Sequence, residues 1–365
     1  MKIIEFISQL GSGGAERFAV DLSNELAQNN EVILCISNSI DKHGFYKNEI
    51  SPNVKVICLN KKSGIDFSIL IKIYNLIRKE KPDIVHTHLS AIIYILFSSI
   101  LYRKAKYFHT IHNTAQYEYE GKVGYWIRKF LFKHNLVNAI TISPDSMKSF
   151  IETYHQTPEM IINGRNVPSN ILVSNNVVNE FKEYRKNENT KVIVQLAHVG
   201  HQKRQNIMAN VITKLNNEGY DVAVLMIGAF NEEKMVEEIR SLHNENIYLL
   251  GPKHNPLEYL KLADAFGLCS SYEGLPISLI EALGVGLIPI CTPVGGIVDV
   301  IKDGINGFLS QDISEEAYYT AMKRYLDASL ETINKMKKEV IINYQTYSMT
   351  ECSKKYTKLF KSKLK

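Results

Sequence analysis

The sequence predicts an α/β protein made of two doubly wound, parallel-sheet domains, and three observations carry that expectation. The chain has 365 residues, more than one hydrophobic core usually serves, so two domains of roughly 150–190 residues are expected. Short β-branched runs alternate with longer segments of helical apolar spacing along its whole length, the pattern of parallel strands joined by crossover helices. The alternation breaks once, at FKEYRKNENT (181–190), a polar stretch without strand character, and then restarts.

In the first half the strand-like runs are 2–7, 31–36, 54–59, 83–86, 107–111 and 139–143, with helical spacing between them, for example over 15–28 and 67–80. A first Rossmann-like domain over 1–185 follows. Runs at 191–197, 222–227, 246–250, 265–269 and 287–291 make a second over 186–345, the two expected to face each other across a cleft. The remaining 346–365 read as a basic helix that either packs back on the first domain or projects into solvent. Ligands of open α/β sheets bind at the carboxyl ends of the strands, near helix N-termini, and the motifs below fall at such places.

Composition excludes several classes. Hydrophobic residues at 45% and charged ones at 22% rule out a disordered or fibrous chain. The five cysteines (Cys35, Cys58, Cys269, Cys291, Cys352) are scattered without metal-ligand spacing and read as buried free thiols in a reducing compartment. The N-terminal apolar run, interrupted by Glu5 and Gln9, is too short for a signal-peptide core, so a cytoplasmic protein is expected. Residues 89–102 form the longest apolar run, short of the roughly 20 residues that span a bilayer, and are expected to be a buried helix. Net charge is +5, and residues 51–150 hold 15 basic against 6 acidic side chains. That cluster suits an anionic membrane surface or a phosphate-bearing acceptor. WIRKFLFK (126–133) mixes apolar and cationic residues, as a helix lying on a membrane or a core helix with a snorkelling rim would. No nucleic-acid partner is expected.

The chemistry-bearing motifs begin after the first strand, where Gly11-Ser12-Gly13-Gly14 opens a helix and lets backbone N–H groups approach a phosphate or a sugar. Position 16 is Glu rather than the third glycine of a dinucleotide fingerprint. No acid ends the second strand, Asp41 being the nearest, so a nicotinamide cofactor is disfavoured. Histidines cluster at two strand ends, His86 and His88 in DIVHTH, His109 and His112 in FHTIHN. A zinc site lacks a supporting cysteine or carboxylate pattern here. Of the four, His112 lies furthest into its post-strand loop and is the one placed against a reacting sugar. Lys203 and Arg204 follow the first strand of the second domain, where a fixed cation suits a diphosphate leaving group. In SSYEGLPISLIEALGVG (270–286), Gly274 permits a tight turn and Pro276 suits the first position of a helix. The N–H groups of Ile277 and Ser278 then form an anion site. Glu281, inside that helix, would be repelled by a diphosphate and instead reads as an acceptor for ribose hydroxyls. Glu273, in the preceding loop, faces the donor sugar.

These runs resemble family 4 of the glycosyltransferases, which have the GT-B fold. The matching segments are GGAER (13–17), DIVHTH (83–88), TIHN (110–113), the loop ending at Lys203, IGAF (227–230), LLGPKHN (249–255), the 270–286 segment, TPVGG (292–296) and DGINGFL (303–309). The resemblance implies donor contacts through Gly13, Gly14, Gly274, Leu275, Pro276, Ile277 and Glu281, a diphosphate contact through Lys203 with Arg204 beside it, and catalytic roles for His112, Lys203 and Glu273. Two departures stand out: Ala197-His198 replaces the family's Gly-Arg, and Asp299 replaces the glutamate of GGxxE. No Asp-x-Asp pair occurs, so no metal site and no cofactor is expected. The implied activity is transfer of a sugar, with retained anomeric configuration, from a UDP- or GDP-sugar to a hydroxyl of a glycan or lipid-linked acceptor in cell-surface polysaccharide biosynthesis. The rival readings are a nucleotide-sugar epimerase of the same architecture and a non-catalytic sugar-binding protein.

Overall fold

A computed structural model describes residues 1–40, 44–62, 64, 66–119, 121–168 and 170–364; Asp41 lies outside them. The chain divides into two compact units, Met1–Arg165 with Tyr347–Lys365, and Asn166–Thr346.

In the first unit, strands β1 (Lys2–Ile7), β2 (Glu31–Ile36), β3 (Val54–Cys58), β4 (Ile84–His88), β5 (Lys106–Ile111), β6 (Asn138–Thr141) and β7 (Glu159–Met160) form one sheet in the order β3-β2-β1-β4-β5-β6-β7. Every pairing is parallel. Helices cover both faces, so the central strands are buried on both sides and read as continuous apolar runs. The exceptions are instructive. Glu5 of β1 is fully buried and pairs in register with His86 of β4.

The second unit repeats the plan. Strands β8 (Lys191–Leu196), β9 (Val222–Ile227), β10 (Ile247–Gly251), β11 (Ala265–Leu268), β12 (Ile288–Cys291) and β13 (Phe308–Leu309) lie in the order β10-β9-β8-β11-β12-β13, again all parallel. The strand order reverses between β1 and β4 in one sheet and between β8 and β11 in the other. At such a switch point, adjacent post-strand loops diverge and leave a crevice for a ligand.

Three expectations change. The boundary expected at 185 falls at 165, because helix Asn175–Tyr184 is bound into the second unit. Ser174 donates to Glu258 Oε2 through both N and Oγ at 2.7 Å, Tyr259 OH donates to Glu180 at 2.6 Å, and Arg185 pairs with Asp264 at 2.8 Å. The polar 181–190 stretch is thus a helix end and turn before β8. The C-terminal helix Met349–Leu364 belongs to the first unit: Phe360 packs on Phe108 with ring centroids 4.7 Å apart, and Tyr356 OH bonds Thr110 Oγ1 at 2.9 Å. Finally, the apolar run at 89–102 forms a 3-10 helix, Leu89–Ile95, followed by a short α-helix, Leu96–Leu101. Only one side is buried, through Ala91, Ile92 and Ile95, while Phe97 and Leu101 are exposed. Among the described residues no helix is long and apolar enough to cross a membrane. All five cysteines are free thiols, four of them buried.

Candidate active site

The second unit brings its predicted residues together at the β8/β11 switch point. Lys203 lies in the loop after β8 and Glu273 in the loop after β11; the two form an ion pair with both side chains largely buried. Ser270 Oγ donates to the same Glu273 oxygen at 2.6 Å. The loops are laced by backbone bonds: Ser271 N donates to Gln202 O at 2.8 Å, and Gln202 Nε2 to Tyr272 O at 2.9 Å. Thr292 Oγ1, at the end of β12, donates to Ser270 O at 2.6 Å. A charge pair withdrawn from water needs such auxiliary bonds to be tolerated.

Arg204 is placed differently. It caps helix Gln205–Asn217 in the left-handed region, φ 55°, with its carbonyl accepting from Cys269 Sγ at 3.0 Å, and its guanidinium donates to Ile313 O at 2.5 Å. The structure joins Lys203 to Glu273 and sends Arg204 to the neighbouring carbonyl. His198, where an arginine was expected, is held below its ordinary pKa by burial and by the Lys203 charge. It is therefore a neutral donor or acceptor at pH 7 and no substitute for a fixed cation.

Glu273 is followed by Gly274, buried Leu275 and Pro276, and then by helix Ile277–Gly284. Pro276 stands at the N-cap, one residue ahead of the expected first helical position, with φ −69° and ψ 126°. The first intrahelical bonds run from Leu279 and Ile280 to Pro276 O. The N–H groups of Ile277 and Ser278 precede them and have no intrahelical acceptor, which leaves a positive helix end beside the Lys203–Glu273 pair. Glu281, one turn in, is buried. The turn is fixed from the other side by Gly296 N donating to Gly274 O at 2.6 Å and by Gly295 at φ +51°.

In the first unit, Gly13 caps helix Gly14–Leu26 at the β1 end of the β1/β4 switch point. His88 ends β4, and His112 follows β5. His112 is half-buried; its Nε2 lies 2.9 Å from His88 Nδ1, and His88 Nε2 lies 2.8 Å from Glu5 Oε2. His86 Nδ1 is 2.8 Å from that same oxygen, although its angle makes no hydrogen bond and Glu5 Oε1 also has no partner. Burial opposes ionisation of Glu5, but the imidazoles of His86 and His88 against its Oε2 outweigh that and hold its carboxyl well below the usual range. Burial, with His86 beside it, depresses His88; burial and then His88 depress His112. Glu5, His86 and His88 offer ligand atoms within 4.8 Å of one another, the one described cluster with the two-imidazole, one-carboxylate composition of a metal set.

A second buried network steadies the same loop. Glu118 accepts from the backbone N–H groups of His112 and Asn113, and Arg128, 1% exposed, donates to Glu118 O at 2.8 Å. Arg128 Nη1 also lies 2.9 Å from His109 Nε2. His109 is thereby a structural member of the loop, its pKa pushed down by burial and then by Arg128. Arg128, read from sequence as part of a cationic rim, is a core side chain. Glu5, Glu118 and Arg128 were missed as site residues. Glu5 carried a signal, since a lone acid in a central apolar strand must find a partner.

Two family models match the chain: Glycosyltransferase Family 4 over residues 12–168 and Glycosyl transferases group 1 over residues 177–342. The capsular polysaccharide biosynthesis glycosyltransferase CapH of Staphylococcus aureus is 29% identical over 303 residues, 77% of this chain and 78% of that protein. An Escherichia coli UDP-Gal:alpha-D-GlcNAc-diphosphoundecaprenol alpha-1,3-galactosyltransferase is 26% identical over 293 residues, 75% and 74% of the two chains. Among solved structures, Anabaena HepE in complex with UDP and glucose matches with a TM-score of 0.80 at 16% identity, covering 99% of this chain and 100% of that one. Two Rossmann-like units, each with its loops gathered at a switch point, have the GT-B fold, and the two matching family models make the class that of the glycosyltransferases. The chain belongs to glycosyltransferase family 4.

Proposed function

We propose that the protein transfers a sugar from a UDP- or GDP-sugar to a hydroxyl of a glycan or lipid-linked acceptor, with retention at the anomeric carbon, in the assembly of a bacterial surface polysaccharide. The observation that carries the reading is the buried Lys203–Glu273 pair set beside the N-terminus of helix Ile277–Gly284. As the glycosidic bond breaks, the nucleoside diphosphate gains negative charge. A cation and a helix end already fixed in place stabilise that charge without reorganising. Lys203 is the phosphate ligand, Glu273 and the Gly274–Ile277 turn face the donor, and Glu281 accepts from the ribose hydroxyls. In the first unit His112 and the Gly13–Gly14 turn serve the sugar, as the family resemblance implies. The named activities of CapH and of the E. coli galactosyltransferase support a surface-polysaccharide role and a nucleotide-sugar donor. Leaving-group charge in this reading falls to protein groups, with no resident metal or cofactor assigned to it.

Retention follows if the incoming hydroxyl attacks from the face the phosphate leaves, the phosphate taking its proton. NMR of the product's anomeric centre tests this: a retained configuration is expected, and an inverted one rejects it. An epimerase would convert the donor with no acceptor present, and a sugar-binding protein would show no turnover.

Association with an anionic membrane face is supported by helix Gly121–Lys133. Val123, Trp126 and Phe130 are exposed at a spacing that puts them on one side, with Lys129 Nζ 5.4 Å from the Trp126 ring. Flotation with anionic vesicles should carry the protein upward at low salt, and absence of binding at every salt concentration rejects the reading.

A further inference from the structure

We propose that Glu5 and His88 are positioning residues that hold His112 in its Nε2–H tautomer, so that His112 presents the bare Nδ1 lone pair to a sugar hydroxyl. The inference rests on the reading of His112 as a sugar contact and says how its chemistry is set.

Proton direction is fixed step by step along a chain of hydrogen bonds. A carboxylate only accepts, so at the 2.8 Å contact between His88 Nε2 and Glu5 Oε2 the imidazole must donate. His88 is fully buried and kept neutral by that burial and by His86; a neutral ring that donates through Nε2 accepts through Nδ1. At the 2.9 Å contact between His88 Nδ1 and His112 Nε2, the donor must therefore be His112. His112 is likewise neutral, which leaves its Nδ1 without a proton. Among the described residues no protein group bonds that nitrogen. The tautomer of a histidine is set by the bond its other nitrogen makes, and here that bond traces back to a strand two positions away in the sheet.

The surroundings hold the relay still. Phe18 stands edge-on to both rings, at centroid distances of 6.1 Å from His88 and 5.4 Å from His112. On the other side His86 sits 4.4 Å from His88, ring to ring, with its Nε2 2.8 Å from Thr110 Oγ1, which bonds Tyr356 of the C-terminal helix. The 2.8 Å contact between His88 Nε2 and Glu5 Oε2 is a direct hydrogen bond, with His86 Nδ1 at the same distance from that oxygen, and a metal ion would have to part them.

The test uses the full-length protein labelled with 15N-histidine. In the wild type, the imidazole nitrogens of His112 should report a protonated Nε2 and an unprotonated Nδ1. A protonated Nδ1 overturns the proposal without recourse to any variant. Glu5→Gln keeps the shape but replaces the obligatory acceptor with an amide that can also donate, so the ring nitrogens of His112 should shift toward the other tautomer. Sugar transfer should fall about tenfold to hundredfold in kcat, by analogy with the loss when the partner that orients a metal-bound histidine is removed, while nucleotide binding by the second unit and the melting temperature of the variant certify its fold. His112→Ala separates the two layers. If it transfers normally, the sugar-contact reading fails although the tautomer result stands; if it is impaired while Glu5→Gln is not, the positioning proposal fails. Stoichiometric zinc or another transition metal in the purified protein, lost in Glu5→Gln, would also overturn the relay in favour of a metal centre.

Discussion

Replacing Gly295 with alanine tests the geometry of the donor site through a residue that touches no ligand in the reading above. Gly295 has φ +51°, and a Cβ built on it would stand 1.8 Å from the carbonyl oxygen of Glu273. An ordinary carbon–oxygen contact is about 3.3 Å, so the Glu273 backbone would have to retreat by about 1.5 Å. That exceeds the slack in the bonds from Ser270 and Lys203 to the Glu273 carboxylate. A misplacement of about 1 Å near the reacting centre costs about 100-fold, and kcat/KM for transfer should fall by that factor or more. Gly304 is the control: φ is +73° and nothing lies within 4 Å of a built Cβ. Gly304→Ala should incur only the left-handed backbone penalty, roughly 1–2 kcal/mol, or about 2–8 °C in the melting of a unit of this size, with activity intact. Initial rates of nucleoside diphosphate release, measured beside thermal melting, read both variants. Wild-type activity in Gly295→Ala, or equal losses in the two, would refute the argument that the Glu273 turn is held in place from Gly295.

Three further outcomes are expected. Glu281→Gln should weaken nucleotide binding about tenfold or more in calorimetry, because a charge-assisted bond to a ribose hydroxyl is worth roughly 1.5–3 kcal/mol; unchanged affinity would remove Glu281 from the ribose. Lys203→Ala should lower kcat by about 100-fold to 1,000-fold and also destabilise the second unit, since it leaves the buried Glu273 carboxylate unpaired, at a cost of roughly 3–5 kcal/mol; denaturant unfolding and turnover check the two effects separately. The first unit should lose stability as pH falls below about 6.5. His88, His109 and His112 all have folded pKa values below the ordinary one, so below that pH the unfolded chain binds protons the folded one does not. Stability is full above the unfolded value and declines on acidification, by at most about 1.4 kcal/mol per pH unit for each group, until the pH reaches that group's folded value. Denaturant midpoints that do not move between pH 7.5 and 5.5 would contradict the buried neutral histidines.

What could be read from sequence was local. β1, β2 and β9 have the bounds their β-branched runs predict, and Gly13, Lys203, Glu273 and the helix after Pro276 lie at the strand ends where ligand loops belong. The two-residue strands β7 and β13 were not legible, because an edge strand that short carries no period. The domain boundary was misplaced because polarity at 181–190 marks a solvent-facing helix end, whereas the anchors of that helix, Glu258, Tyr259 and Asp264, are some 80 residues away in sequence. The same distance hid the relay behind His112. Glu5 and His88 are separated by 83 positions and meet only because β1 and β4 are neighbours in the sheet. Arg128 looked like a surface cation in a basic helix until the loop carrying Glu118 supplied its buried partner.

The central claim is that this chain breaks the bond between a sugar and a nucleoside diphosphate and hands the sugar to an acceptor. Its most direct test is a panel of UDP- and GDP-sugars incubated with the protein and lipid-linked or soluble glycan acceptors, following nucleoside diphosphate release. The account predicts release from at least one donor, accelerated by acceptor, coupled to a glycosylated product and lost in Lys203→Ala. Donor conversion without loss of the sugar, or binding without release across the whole panel, would contradict it.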